Sequence, residues 1–469
     1  MQLPQSQILN ILGSQTANQW LVNHDSLELL DSTHTFINVF TNFRDKYHFK
    51  PTILILEAEP VRFIASFLAA ITLEFPVFVG NPQWQNSELE FALKLIQPNL
   101  IVSKSLHVIA RKAIAQTNRL DQVKPTSFIG IPTGGSSGKI RFAIHTTASL
   151  TASAKSFANY FKTPSINSYC TLPIYHVSGL MQLWRSLITQ GKVAIVPYRD
   201  IKKRVQPQVD CDAYFLSLVP TQLKFLLDNY CEWLKGFQNI LLGGAPAWRS
   251  LLEQARNKQL PISLTYGMTE TAAGISYLDP QDFLAGNNSS GKILDHAEVQ
   301  ILNPTKWTGV DHNIGTIEIN SDSLYQGYYP NFLPETTPFI TDDLGFLDEW
   351  GYLHIVGRNS QKIISGGENI YPLEIETAIL ETKLVQDVCV IGIADEQWGQ
   401  AVTALCVLKD TDTNLATIQQ QLSSKLSKYK QPKHWLSVPS LSRDAKGKIH
   451  YPQITQLAQN LLYKSLRQV

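Results

Sequence analysis

The chain is organised around one stretch, Ile131-Pro132-Thr133-Gly134-Gly135-Ser136-Ser137-Gly138-Lys139-Ile140-Arg141. Residues 128–131 are apolar and predict a strand, which leads into a loop of small and hydroxyl residues followed by two cations. Such a loop is suited to holding phosphate, because small residues let backbone N–H groups approach an anion, hydroxyls add donors and cations add charge. The alternative is an ordinary mobile Gly/Ser turn.

A nucleoside-triphosphatase P-loop needs Gly, about four residues and then Gly-Lys-Ser/Thr. Here Gly134 and Gly138 enclose only Gly135, Ser136 and Ser137, and the following lysine precedes an isoleucine. The stretch therefore fails this pattern both in spacing and in the hydroxyl that would bind metal.

The residues before the loop alternate between strand and helix patterns. Residues 52–56 are typical of a buried strand, residues 60–73 carry apolar side chains at helical intervals, and residues 76–79 form the next strand. Residues 91–96 and 100–102 repeat the pattern. This order predicts right-handed parallel units and an α/β fold of layered sheets.

Composition limits the class of protein. A chain of 469 residues, 44% of them hydrophobic, is too long for one ordinary core and predicts at least two domains. Forty cationic and thirty-nine anionic side chains leave a formal charge of +1 without long runs of like charge, so a nucleic-acid surface is not expected. The oligomeric state is left open.

The five cysteines are scattered and predict free thiols in a reducing compartment. The first residues lack the pattern of a signal peptide, and no apolar run is long enough to span a membrane. We therefore expect a cytoplasmic protein without stable membrane insertion.

A second group of candidate site residues follows a predicted strand at 262–265, in the string Tyr266-Gly267-Met268-Thr269-Glu270. An aromatic ring beside glycine can offer a face to a purine, and a threonine hydroxyl can donate to a phosphate oxygen. A glutamate can hold Mg²⁺ against a triphosphate.

Two turns after other predicted strands are weaker candidates. His176 lies between a predicted strand and an apolar helix, at the sheet edge where α/β proteins bind ligands, although a lone histidine is more often a packed residue. Gly243-Gly244-Ala245 would let a flat ligand lie against backbone, and the alternative is a plain strand-to-helix turn.

Residues 279–358 change to short strands broken by turn residues, which predicts a small barrel-like β subdomain. Within this region, Asp343 is suited to accept hydrogen bonds from ribose hydroxyls, and Arg358 is suited to brace a nucleotide. The alternative is a solvated acidic turn and an unrelated surface arginine. Residues 359–469 predict a compact α+β unit.

Taken in order, these stretches resemble the AMP-forming acyl-CoA synthetases, over most of the chain. The family's phosphate loop is usually Thr-Ser-Gly-Thr-Thr-Gly-x-Pro-Lys-Gly followed by Thr-His. Residues 133–138 cover its first six places, Arg141 falls at the usual lysine, and His145 lies near the trailing histidine. The missing proline and the arginine are departures from the pattern.

The resemblance implies ATP, Mg²⁺ and CoA as reactants or cofactors, with a small-molecule carboxylic acid as substrate. Thr269 would contact the α-phosphate, Glu270 the metal, and Asp343 and Arg358 the ribose, with Asp342 replacing a usual glycine. Residues expected near the acid are His176, Ser178, Gly267 and Met268.

The resemblance also implies a mobile C-terminal domain, residues 359–469, that rotates against an N-terminal domain of residues 1–358. Ser360 or Gln361 occupies the pivot position, which is commonly Asp or Lys. Lys448, in a Gly-Lys pair, would reach the site during adenylation, and Lys446 is the competing candidate.

Residues 172–180 and 363–372, together with the compact length, look most like the branch of the family that ligates o-succinylbenzoate in menaquinone and phylloquinone biosynthesis. Other readings are a different aryl or fatty acid CoA ligase, a stand-alone enzyme that loads a carrier protein, and a silent nucleotide-binding relative. The last is motivated by the departures at Ile140, Arg141, Asp342 and Ser360.

Overall fold

The computed structural model describes Gly13 and residues 19–104, 107–108, 127–134, 140–203, 209–306, 312–334, 337–366, 368–410, 414–423, 425–443 and 449–466. The helices in these ranges are α1 Ser26–Tyr47, α2 Pro60–Thr72, α3 Asn86–Ile96, α4 Thr147–Tyr160, α5 Val177–Ile188, α6 Tyr198–Lys202, α7 Pro220–Asn229, α8 Cys231–Lys235, α9 Arg249–Asn257, α10 Pro280–Leu284, α11 Pro372–Glu381, α12 Leu415–Leu422 and α13 Tyr451–Leu466.

The strands are β1 Leu21–Val22, β2 Ile53–Ile55, β3 Val77–Val79, β4 Leu100–Val102, β5 His107–Val108, β6 Ile129–Gly134, β7 Ile140–His145, β8 Asn167–Cys170, β9 Val193–Ile195, β10 Tyr214–Leu218, β11 Asn239–Leu242, β12 Ile262–Met268, β13 Ala273–Tyr277, β14 Lys292–Ile293, β15 Ala297–Lys306, β16 Asn313–Ser321, β17 Phe339–Leu347, β18 Leu353–Arg358, β19 Ile363–Ser365, β20 Glu368–Ile370, β21 Val385–Asp395, β22 Gly399–Leu408 and β23 His434–Ser437.

The first sheet contains the predicted parallel units. Its strands lie in the order β5-β4-β2-β3-β6-β7, and β2 pairs in parallel with both β3 and β4. The predicted strand–helix–strand units in residues 52–102 and the α/β fold class are therefore confirmed.

The strand before the loop is longer than predicted. β6 continues through Gly134, and β7 begins at Ile140 and pairs antiparallel with it, so that Thr133 lies opposite Arg141. Arg141 is therefore on a strand and not in a loop. The side chains of Phe142 and Ile144 explain this, because they alternate into a buried cluster under the sheet.

A second sheet of eight strands lies in the order β1-β9-β8-β10-β11-β12-β13-β14. One buried cluster contains residues of both large sheets and of the helices α1, α2, α4 and α5. These helices therefore lie between the sheets. The helix α2 is buried from Phe63 to Thr72, as expected for a helix that is apolar on all sides.

The C-terminal third forms two smaller sheets. The strands β15 to β18 make a four-stranded antiparallel sheet in chain order, and its buried residues share a cluster with Tyr266 and Ile275 of the second large sheet. The strands β19 to β23 and the helices α11 to α13 form the small α+β unit. The domain division at Arg358 stays a prediction.

The lengths and compositions of the helices bear on membrane insertion. In the described ranges, none has the length and the apolar composition needed to cross a bilayer.

Candidate active site

The candidate residues of the second sheet follow strands that end at one edge. The strands β8, β10, β11 and β12 are neighbours and run parallel. Because the carboxyl ends of parallel strands share an edge, the turns with His176, Gly243–Ala245 and Thr269–Thr271 lie along that edge. The topology therefore brings together three turns that are far apart in sequence.

The string Tyr266 to Glu270 is half strand and half turn. β12 extends through Met268, beyond the predicted end at residue 265, and Thr269–Thr271 then form a single 3-10 turn. Gly267 lies so close to the next strand that an added Cβ would be 2.0 Å from the Ala273 carbonyl oxygen. A larger residue would push the motif off the sheet, which explains the glycine.

His145 connects the first sheet to this turn. Its Nε2 donates to the Thr269 carbonyl oxygen at 2.7 Å, and its Nδ1 lies 3.1 Å from Ser149 Oγ. The ring is fully buried. Burial lowers the pKa of His145 to about 4, against a smaller opposing effect of the Thr269 carbonyl, so the ring is neutral at pH 7.

Glu270 and Arg141 meet on one tyrosine. The Tyr328 hydroxyl donates to Glu270 Oε1 at 2.6 Å, and the Arg141 guanidinium carbon lies 4.2 Å from the centroid of the Tyr328 ring. Glu270 is buried, whereas Arg141 is exposed. A carboxylate and a cation are thus held next to the turn that carries Thr269.

Asp343 forms a second cluster at the other end of the string. The Tyr266 hydroxyl donates to Asp343 Oδ2 at 2.8 Å, and Arg358 Nε donates to Oδ1 at 2.9 Å from the paired strand. Burial, followed by the nearby Asp343 carboxylate, raises the pKa of the Tyr266 phenol well above its usual value. Tyr266 therefore stays protonated and donates to Asp343.

Gly243, Gly244 and Ala245 form the turn after β11. A Cβ on Gly243 would be 2.4 Å from Thr265 Oγ1, and Gly244 has a φ of +79°, in the left-handed region that favours glycine. Gly244 and Ala245 are exposed at the sheet edge. This surface of bare backbone is open to a flat ligand.

His176 is the residue that precedes the helix α5, and it is buried beside the Tyr175 ring. Ser178 is exposed in the first turn of that helix. An added Cβ on Gly179 would be 2.3 Å from the Pro173 carbonyl oxygen, so the helix begins tightly against the turn.

Several predicted site residues lie outside the described residues, namely Gly135, Ser136, Ser137, Gly138, Lys139, Lys446 and Lys448. The residues that flank them are described. Thr133 pairs with Arg141 on either side of the predicted phosphate loop, and Arg443 pairs with Ile449 on either side of the two lysines.

Similarity to known proteins identifies the family. A family model described as AMP-binding enzyme matches residues 49–329, more than half of the chain. The chain belongs to the AMP-binding enzyme family. The model of the AMP-binding enzyme C-terminal domain matches residues 374–448.

Two relatives within this family are both called 2-succinylbenzoate–CoA ligase. The protein from Enterococcus faecalis is 28% identical over 449 residues, which cover 93% of this chain and 90% of the relative. The protein from Listeria monocytogenes serovar 1/2a is 36% identical over 326 residues, which cover 68% of this chain and 67% of the relative.

Solved structures of similar fold include the o-succinylbenzoate CoA synthetase of Bacillus subtilis in complex with its acyl-adenylate intermediate. That structure has a TM-score of 0.78 at 24% identity and covers 95% of this chain and 97% of its own. ATP-bound MatB from Rhodopseudomonas palustris has a TM-score of 0.79 at 21% identity and covers 97% and 99%. Both support the fold of an AMP-binding enzyme.

Sequence reasoning missed two contacts in this AMP-binding enzyme. The first is the contact of Tyr328 with Glu270 and Arg141, because the sequence pattern indicates only that Tyr328 belongs to the β-rich residues 279–358. The second contact is between Asp342 and Ser360, which both depart from the family pattern. The backbone N–H of Ser360 donates to Asp342 Oδ1 at 3.0 Å, and its hydroxyl donates to Oδ2. The string Gly327-Tyr328-Tyr329 is the sequence feature that could have indicated the first contact, and no local sequence feature marks the second.

Proposed function

We propose that this protein is an ATP-dependent acid:CoA ligase that acts on o-succinylbenzoate. One observation carries the proposal: the string from Tyr266 to Glu270 touches a different polar cluster at each end. Asp343 and Arg358 lie at its start, and Tyr328 and Arg141 lie at its end. A nucleotide lying along the string would place its ribose at the first cluster and its phosphates at the second.

The reaction consists of two displacements. In the first, a carboxylate oxygen of the acid attacks the α-phosphorus of ATP, the α–β phosphoanhydride bond breaks, and pyrophosphate leaves with that electron pair. In the second, the sulfur of CoA attacks the acyl carbonyl carbon and loses its proton. The bond between that carbon and the phosphate oxygen breaks, and AMP leaves with its electron pair.

Charge builds on the phosphates in the first displacement, so donors must be aimed there. Arg141, Thr133 and the loop residues are suited to the pyrophosphate, and the hydroxyl of Thr269 to the α-phosphate. Removing one such aimed donor typically costs on the order of 10²-fold or more in rate.

Magnesium fits the residues present. The Oε1 atom of Glu270 accepts one hydrogen bond, from the Tyr328 hydroxyl. Because a carboxylate has about four lone-pair positions, Glu270 can still bind a cation. Mg²⁺ is commonly held by one or two carboxylates together with substrate phosphates and water. No group of three or more His, Cys, Asp or Glu side chains suited to a metal occurs in the described ranges, in keeping with that mode. Bound there, the ion would neutralise phosphate charge.

The C-terminal unit supplies Lys448 for the first displacement and then moves away to admit the thiol of CoA. We place the domain division after Arg358 and assign the pivot to Ser360, which is tied to Asp342. A lysine on a separate moving unit explains how one site serves both steps.

The choice of acid is supported by the two relatives named above and by residues 172–180. o-Succinylbenzoate carries a second carboxylate, which needs a polar partner when buried. His176 and Ser178, near Gly267 and Met268 along the same sheet edge, are proposed to line its pocket. The expected compartment is the cytoplasm, in keeping with five cysteines that are all free thiols.

The test is to incubate the protein with ATP, Mg²⁺ and CoA and a panel of aryl and fatty acids, and to weigh the products by mass spectrometry. We expect AMP and o-succinylbenzoyl-CoA. A different acyl-CoA would refute the substrate, transfer only to a carrier-protein thiol would identify a carrier-loading enzyme, and a protein that binds ATP without product would be a silent relative.

A further inference from the structure

The segment Tyr325-Gln326-Gly327-Tyr328-Tyr329 lies along the free edge of the first sheet. Its backbone bonds to β7 on both sides of Ala143: Gln326 N–H donates to the Ile144 carbonyl at 2.7 Å, and Tyr329 N–H donates to the Phe142 carbonyl at 2.9 Å. The segment therefore extends the sheet next to the strand that carries Arg141.

The same segment is bonded to the turn of the second sheet. Tyr325 N–H donates to the Glu270 carbonyl oxygen at 2.8 Å, while the Tyr328 hydroxyl donates to the Glu270 carboxylate at 2.6 Å. Backbone and side chain of Glu270 are thus both fixed by this one segment.

The side chains alternate along the segment. The Tyr329 ring packs against Phe78 and Phe128 in the core, with centroids 5.0 and 6.1 Å away, and Tyr328 faces the site with Glu270 and Arg141. Two adjacent tyrosines therefore have separate surroundings.

We infer that Tyr328 is a positioning residue of the nucleotide site, whose hydroxyl holds the Glu270 carboxylate and whose ring holds the Arg141 guanidinium. This inference rests on the proposed function. The hydroxyl is the donor of this bond, because it lies 2.6 Å from Glu270 Oε1 and an ionised carboxylate can only accept.

The stacking also explains why an arginine is suitable at position 141. A planar guanidinium can lie over an aromatic face and still direct N–H groups at phosphate, whereas a lysine ammonium is a compact, strongly hydrated charge. The tyrosine thus sets the direction of the cation at the start of β7.

The test uses the full-length Tyr328→Phe variant, which keeps the ring and loses only the hydroxyl. Binding of α,β-methylene-ATP, which cannot be cleaved between the α- and β-phosphates, is measured by calorimetry at increasing Mg²⁺. We expect the Mg²⁺ concentration for half-maximal binding to rise about 10-fold, the size typical of losing a partner that orients a metal ligand. Binding without Mg²⁺ should be unchanged.

The matched control is Tyr329→Phe, which removes the neighbouring hydroxyl on the core side and should leave the Mg²⁺ dependence unchanged. A second variant, Tyr328→Leu, also removes the ring and should weaken Mg²⁺-free binding ~3-fold relative to wild type, as expected from a lost cation–π contact. Thermal melting establishes that each variant is folded.

Two results would overturn the inference: an unchanged Mg²⁺ dependence in Tyr328→Phe, or an equal shift in Tyr329→Phe. Either requires wild-type protein that binds the nucleotide with Mg²⁺. If the wild type does not bind it, the proposed function itself fails, so the two failures are distinguishable.

Discussion

Replacing His145 by glutamine should make this protein less sensitive to acid. His145 is fully buried between the first sheet and the Thr269 turn, and burial lowers its pKa from 6.5 to about 4. Between these two values the unfolded chain binds a proton that the folded chain does not. The free energy of unfolding therefore falls as the pH falls from 6.5 towards 4.

The size of the effect follows from the two pKa values. At 1.36 kcal/mol per unit of pKa, the histidine accounts for about 3 kcal/mol of lost stability over the whole window, of which about 2 kcal/mol is lost by pH 5. Glutamine does not titrate, and its amide can still donate to the Thr269 carbonyl oxygen. The stability difference between wild type and His145→Gln should therefore shrink by about 2 kcal/mol from pH 7 to pH 5.

The assay is urea unfolding at pH 7 and pH 5, followed by tryptophan fluorescence. Using the difference between two variants removes the contribution of the carboxylates that also titrate in acid. His34→Gln is the control, because His34 is exposed on α1. If wild type and His145→Gln lose stability in parallel, the buried neutral histidine is the wrong explanation.

Three further substitutions probe the site. Lys448→Ala should abolish pyrophosphate release while CoA ester formation from supplied acyl-adenylate continues; equal loss in both assays would contradict the separate roles. Tyr266→Phe removes the bond to buried Asp343 and should lower the free energy of unfolding by about 2 kcal/mol and weaken ATP binding, whereas an unchanged urea midpoint would show that the bond is unimportant. Asp342→Ala removes both hydrogen-bond acceptors of Ser360 and should change the rate of the CoA step more than the rate of adenylation. Single-turnover measurement of each step tests this expectation.

The sequence was most informative where chemistry needs contiguous residues. The string from Tyr266 to Glu270 and the parallel strands of the first sheet were recognisable because their patterns are local. The ends of β6 and β7 were harder to predict, because the small residues at 133–138 show neither the apolar run nor the alternation that is typical of a strand. Only pairing with a partner strand defines where β6 ends.

Contacts between distant residues could not be predicted from pattern. Tyr328 is 58 residues from Glu270 in sequence, and the two meet because the segment of Tyr328 joins the edge of one sheet while Glu270 follows a strand of another. A tyrosine beside a proline turn has many possible roles. Only the folded arrangement selects this one.

The departures from the family pattern bear on whether the protein is active. Arg141 retains a positive charge and lies over the Tyr328 ring, and Asp342 accepts from the backbone N–H and the hydroxyl of Ser360 at the proposed pivot. The family pattern has a charged residue at the pivot position and a glycine before the aspartate, whereas this chain has the uncharged Ser360 hydrogen-bonded to the Asp342 carboxylate. In a protein that had lost its function, residues that depart from the family pattern would have no reason to contact complementary partners. Arg141 and Asp342 do have such partners, in Tyr328 and Ser360. The matched pairs favour an active enzyme over a silent relative.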